Sequence, residues 1–168
     1  EHLFGSLPVA LGLAFGGVLM IAVEAYRKAK GITGETDLSE VTPKQALVIG
    51  ISQCMALWPG MSRSMSTIVG GQLTGLSTAT AADFSFLLAL PTLGAACAYD
   101  LLKGWDGLFG AAPGEDAIGA GALLVGMITS FFVAWAVIAG FIRYLGRFGL
   151  APFGYYRLVL AGLVIWLA

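Results

Sequence analysis

Apolar residues fill four long stretches of the chain, at residues 7–26, 78–102, 118–142 and 151–168. A helix rising about 1.5 Å per residue needs about 20 such residues to cross the hydrocarbon of a bilayer. The first three stretches meet that length and the fourth nearly does, so about four transmembrane helices are predicted. Between the first and second, the pattern changes. KQALVIGISQCMALW, residues 44–58, is apolar but short; the polar break PGMSRSMST follows, and then IVGGQLTGL, again apolar and short. Neither flank can cross alone. Two half-length helices around a polar break read as a re-entrant hairpin over about residues 44–76, or as a broken helix. Non-helical backbone at membrane depth is tolerated only where protein buries it or where it lines a wet cavity. The break is therefore a candidate site before any chemistry is considered.

Composition strengthens the membrane reading. The chain is 58% hydrophobic and 11% charged, with mean hydropathy +0.86, against about 25% charged residues in soluble domains. The fold class expected is all-α integral membrane, one membrane domain over residues 1–168 without a soluble domain. The net charge of −1 gives no sign of nucleic-acid binding or of a polybasic lipid anchor. The 24 glycines suit close helix packing in a bilayer. Gly12 and Gly16 on the first span, and Ala122, Gly126, Ser130 and Ala134 on the third, form small-residue stripes that let another helix approach closely. Cys54 and Cys97 sit in apolar runs and read as small buried hydrophobes rather than a disulfide or metal pair. The chain starts at Glu1 and enters an apolar stretch at once, with no signal-peptide pattern, and is read as part of a longer protein.

Charge also sets orientation. Arg27, Lys28, Lys30 and Lys44 follow the first span, and Arg143 and Arg147 precede the last. The 103–117 loop holds Lys103 against Asp106, Glu115 and Asp116. The positive-inside rule places the first two groups in the cytoplasm and the third outside. A hairpin that enters and leaves on one side fits this count. Asp100, Trp105 and Trp166 suit interfacial positions, and Pro91 predicts a kink in the second long span.

The polar break carries the chemistry. Pro59 and Gly60 end the first half-helix, through a missing N–H and a free φ. Ser62 or Ser64 then suits the N-cap of the second. A helix N-terminus offers unpaired N–H groups and a partial positive charge, which bind anions. Arg63 adds a planar fork of donors that matches phosphate, and Ser62, Ser64, Ser66 and Thr67 add hydroxyls. Serines and threonines in membrane helices also cap or back-bond, which is the plainer reading of each hydroxyl alone. An arginine at bilayer depth costs about 2.5–3.5 kcal/mol on insertion scales, which marks Arg63 as a functional candidate. Asp83 and Arg157 also fall in apolar stretches. Both read as structural, Asp83 as neutraliser of an arginine and Arg157 as a snorkelling side chain near the cytoplasmic end.

SQCMALWPGMSRSMSTIVGG closely resembles the arginine-bearing signature of the bacterial undecaprenyl-diphosphate phosphatases, the bacitracin-resistance family, roughly P-G-x-S-R-S-x-x-T. Pro59, Gly60, Ser62, Arg63, Ser64 and Thr67 match it. DFSFLLALP at 83–91 and APFGYYRLVLAG at 151–162 are similar to two further segments of that family, in the same order. The family's other signature, E-G-x-T-E-F-L-P-x-S-S-T-G-H, does not occur. His2, the single histidine, is no part of such a motif and reads as a loop or helix-end residue. The resemblance implies the later part of an inverted-repeat fold with two re-entrant hairpins, of which this chain holds the second.

It further implies hydrolysis of undecaprenyl diphosphate to the monophosphate in the bacterial plasma membrane, recycling the lipid carrier of peptidoglycan synthesis. Arg63 and Ser62 would be catalytic, with Ser64, Thr67 and Gly60 binding substrate. A divalent cation, Mg or Ca, is implied too, with no ligand assigned in this chain. Nucleophile and base would come from the missing signature, so this chain alone is expected to be inactive. A homodimer is compatible with the resemblance. A transporter or flippase for a phosphate-bearing lipid remains an alternative, since half-helix ends aimed at anions are a transporter design as well. A purely structural subunit would leave Arg63 unexplained.

The orientation is tested with single cysteines at Thr36 and Gly110 in a Cys54→Ser, Cys97→Ser background. An impermeant thiol reagent applied to whole cells is expected to label residue 110 and spare residue 36; the reverse pattern inverts the topology.

Overall fold

A computed structural model describes residues 5–34, 37–104 and 120–167. Most of the 103–117 loop, His2 and Trp105 lie outside the described residues. The described chain is helical throughout: α1 (Ser6–Ala29), α2 (Pro43–Gln53), α3 (Arg63–Leu73), α4 (Thr78–Lys103), α5 (Ala120–Phe148) and α6 (Ala151–Leu167), with short 3-10 turns at Leu38–Glu40 and Cys54–Leu57. Three of these, α1, α4 and α5, are long and apolar enough to cross a membrane. The 17-residue α6 is apolar but shorter. The four predicted stretches thus each form one helix, and the two half-length segments form α2 and α3.

The chain divides into two units, residues 1–86 with 142–168, and residues 87–141. In the first, α1 runs antiparallel to α6 and parallel to α3. Its buried positions are mostly small or charged, namely Ala10, Gly12, Gly16, Gly17, Met20, Val23, Glu24 and Arg27. Its large apolar residues, Leu7, Leu11, Phe15 and Val18, are exposed. Small residues towards protein and large apolar ones outward is the pattern of a membrane helix. Gly17 and Gly154 bring α1 and α6 together; a Cβ on either would collide with the backbone carbonyl of the other.

Local sequence explains the helix ends. Gly31, at φ +64°, closes α1 with the amide of Ile32 on Arg27 O and that of Gly31 on Lys28 O. Thr42 and Gln45 form a reciprocal capping box at the start of α2, with Pro43 in its first turn. Ser77 accepts the amide of Thr80 to start α4. Antiparallel α2 and α3 pack through Gly70, which sits against Ser52 and Ile49. Gln45 Nε2 reaches Thr74 O at 3.1 Å at the base of the pair.

Two buried charges brace that base. Arg27 donates to the carbonyl of Gln72, at the end of α3, and to Thr33 O at 3.5 Å. Glu24 accepts the amides of Leu150 and of Ala151, the latter at 2.7 Å, and so caps α6 from another helix. Lys28 pairs with Glu24 at 2.8 Å. Arg27, Lys28 and Arg147 line one cavity of about 400 Å³ here, so residues that the charge count assigns to one side of the membrane do gather at one end.

The second unit contains the apolar remainder of α4 and α5, and none of its described residues is buried. Helix α4 continues through Pro91. Ala122, Gly126, Ser130 and Ala134 are exposed, and nothing lies near Gly126, so among the described residues of this unit no other helix packs on the small-residue stripe. Cys54 and Cys97 are unpaired, but exposed rather than buried. The cause is that apolar side chains here face outward: an apolar run in a membrane helix does not imply a protein interior.

Glu24→Ala strips the amides of α6 of their acceptor and is expected to lower stability by about 1–3 kcal/mol. Lys28→Ala removes only an exposed partner and should cost much less. Thermal unfolding in detergent measures both; equal losses would show that the ion pair, not the cap, is the brace.

Candidate functional site at the hairpin tip

The chain reverses between α2 and α3 in a tight turn. Pro59 excludes helical backbone at Trp58, which is extended at φ −75°, ψ 128°. The amide of Met61 donates to Trp58 O at 3.1 Å, and Gly60 lies at φ +86°. Proline and then a left-handed glycine define a type II turn. Ser62, extended, then caps α3, accepting the amide of Met65 at 3.3 Å, while the amide of Ser66 reaches Ser62 O at 3.0 Å. Of the two N-cap candidates, Ser62 fills the role. The first-turn amides have no carbonyl behind them within the helix, and Arg63 and Ser64 occupy its first two positions, both half-buried.

The tip lies directly on α1. A Cβ on Gly12 would run into Pro59 O, and one on Gly60 into the Val9 carbonyl. Trp58 Nε1 donates to Pro8 O at 3.0 Å. Of the predicted small residues on the first span, Gly12 thus receives the hairpin tip, while Gly16 faces Arg157 of α6 and Met65 of α3. Beside the tip, Leu11, Phe15, Met55, Trp58 and Met61 line an apolar groove of about 310 Å³.

Thr67 is buried, and its hydroxyl lies 2.6 Å from Ser85 Oγ and 3.1 Å from the carbonyls of both Arg63 and Ser64. It faces α4, one turn into α3, and ties the Arg63 turn to DFSF at 83–86. Ser66 back-bonds to Ser62 O at 3.0 Å. Asp83 is half-buried and forms no salt bridge among the described residues, so the predicted neutralising partnership is not made here.

Arg157 corrects its sequence reading. Its guanidinium does not snorkel to the end of α6. It turns to the tip, donating to Gly60 O at 2.7 Å and to Gly12 O at 3.4 Å. Gly16 makes room for it: a Cβ there would press on Arg157 Nη2 and Met65 Cε. The sequence does not single out Glu24 and uses Arg27 only for orientation. Glu24 has Lys28 one turn on, so a local ion pair accounts for its charge in the sequence and hides its reach to α6.

No cluster of three or more histidine, cysteine or acidic side chains exists among the described residues. Glu24 is committed at the far end of α1, and Asp83 alone cannot enclose a cation. The described donor set at the tip therefore does not fit a divalent metal.

Three helices long and apolar enough to cross a membrane define a polytopic membrane protein, and in its first unit a cation-bearing helix N-terminus is held against a long apolar helix. The family described as Bacitracin resistance protein BacA matches residues 1–163, and the chain belongs to that family. The chain is 58% identical over 166 residues to an undecaprenyl-diphosphatase of Sorangium cellulosum, covering 99% of this chain and 52% of that protein. Proteins of the same name from Maridesulfovibrio salexigens and Thermoanaerobacter pseudethanolicus are 46% and 45% identical, and the alignment covers 59% of each. The chain thus spans a little over half the length of these relatives.

Gly60→Ala places a Cβ at positive φ and against the Val9 backbone, so it is expected to destabilise the protein by at least about 1–3 kcal/mol. Gly50, within α2 with nothing near it, should tolerate alanine or gain about 0.5–1 kcal/mol. Paired thermal melts check the contrast, and equal effects would remove the argument for a close tip contact.

Proposed function

We propose that this chain supplies the arginine-bearing half of the active site of an undecaprenyl-diphosphate phosphatase in the bacterial plasma membrane. The hydrolysis releases phosphate and returns the monophosphate carrier to peptidoglycan synthesis. The observation that carries the reading is the capped N-terminus of α3 with Arg63 in its first turn. On this reading α2 and α3 are a re-entrant hairpin, α6 is the fourth span, and the tip sits at membrane depth. Helices of 11 residues each rise about 16 Å, too little to cross, and their tip lies beside the apolar part of α1.

The chemistry follows from charge. Phosphoanhydride cleavage concentrates negative charge on the transferred group and the leaving oxygen, and preorganised donors stabilise it. Arg63 would clamp the diphosphate with its fork. Ser64 and the first-turn amides would donate to phosphate oxygens, and Gly60 would let the backbone approach closely. Ser62 holds the helix start in shape, while Thr67, through Ser85, fixes the turn that carries Arg63. The apolar groove beside the tip suits the first isoprene units of the lipid. The attacking group and the base are assigned to the rest of the full-length protein, as are the ligands of a Mg or Ca ion.

A lipid transporter would use the same cradle, and turnover separates the two. In the full-length protein, Arg63→Ala is expected to lower kcat by about a hundredfold or more with the fold intact, and Arg63→Lys to rescue poorly, because lysine lacks the fork. Ser64→Ala should cost less, since it removes one neutral donor. Phosphate release from a polyprenyl diphosphate, at matched expression, is the assay. Near-normal turnover by Arg63→Ala would make it a structural charge.

A further inference from the structure

We infer that Arg157 is a positioning residue for the phosphate cradle: from α6 it holds the Gly60 carbonyl and thereby sets the start of α3. The inference rests on the proposed phosphatase reading for its kinetic consequence, but not for its structural one.

The tip has a built-in weakness. Gly60 is required there by its positive φ and by the contact with Val9, yet glycine is the residue whose backbone rotates most freely. Gly60 stands two residues before the cap Ser62 and three before Arg63, so any rotation at Gly60 re-aims the helix end. Arg157 opposes that rotation with a charge-assisted hydrogen bond of 2.7 Å to Gly60 O. The second bond of the same nitrogen, to Gly12 O, ties tip and α1 to one donor.

Three features argue that this arrangement is more than packing. The Nε atom of Arg157 is buried without a partner, a cost of the kind that a purely structural site avoids. No carboxylate pairs with the guanidinium among the described residues, so its hydrogen bonds go to the backbone carbonyls of the tip and of α1. Gly16 leaves the space that Arg157 fills. Packing alone would be served by an apolar residue in that space, but such a residue has no donor for the Gly60 carbonyl.

The experiment compares Arg157→Gln and Arg157→Lys with the wild-type full-length protein. It measures kcat and KM for a polyprenyl diphosphate, thermal stability, and amide hydrogen exchange. Both variants are expected to lose about tenfold or more in kcat, with KM changed less, as a lost charge-assisted bond to the turn predicts. Exchange should quicken at the Met61 and Met65 amides while those of Leu150 and Ala151, capped by Glu24, stay unchanged. If the glutamine variant does not fold, the lysine variant, which keeps charge and stem, decides alone. Unaltered kcat in a folded variant overturns the inference. So does a fall in kcat with unaltered exchange at the tip, because Arg157 would then act on substrate itself. If the wild-type protein does not hydrolyse the substrate, the phosphatase reading fails, and the exchange pattern alone decides: faster at the tip only supports Arg157 as its anchor, and no change there removes it.

Discussion

Backbone lies on backbone where the hairpin tip meets α1, and the rest of the first unit is arranged around that contact. Gly12 and Gly60 bring Pro59 and Val9 closer than any side chain would permit. Once the tip is seated, Trp58 can reach the Pro8 carbonyl, Ser62 can cap α3, and Arg63 takes its place in the first helical turn. Three stretches far apart in sequence converge there: the turn at 58–67, Ser85 in α4 and Arg157 in α6. The site is thus a property of the packing of four helices, although its most conspicuous residues lie within ten positions of each other.

The unit handles buried charge in one consistent way. Arg27 answers carbonyls near the end of α3, Glu24 answers amides at the start of α6, and Arg157 answers carbonyls at the tip and on α1. Helix ends and tight turns leave such backbone groups unmatched, and the partial charge at a helix end favours an ion of the right sign. Fixed dipoles replace mobile counter-charges, so each charged side chain also locks the position of a helix terminus. Lys28, the partner that is a side chain, is largely exposed.

Much of this was legible in the sequence, and the reasons for the rest are physical. Length and hydropathy mark each long helix because crossing apolar hydrocarbon demands a fixed run of residues. Proline, glycine and serine at 59, 60 and 62 mark the turn and cap because each has a backbone conformation that few other residues share. Which way a side chain points around a helix axis is another matter. Arg157 reads from its position as close enough to the end of its helix to snorkel, and only the packing of α1 and the tip reveals that it turns inward. Thr67 stands with the serines in the sequence, yet one helical turn swings it towards Ser85. The cysteines show the same limit, since an apolar neighbourhood in a membrane helix does not separate a protein-facing position from an outward one.

The two partners of Glu24 reach it at very different moments in the life of the chain. Lys28 is four residues away, whereas the amides of Leu150 and Ala151 follow 126 and 127 residues later. As the polypeptide leaves the ribosome, α1 therefore carries its own counter-ion and can enter the membrane long before α6 exists. When α6 arrives, its bare amides find a carboxylate already in place. The same side chain serves first as half of a local ion pair and later as the latch that closes the assembly.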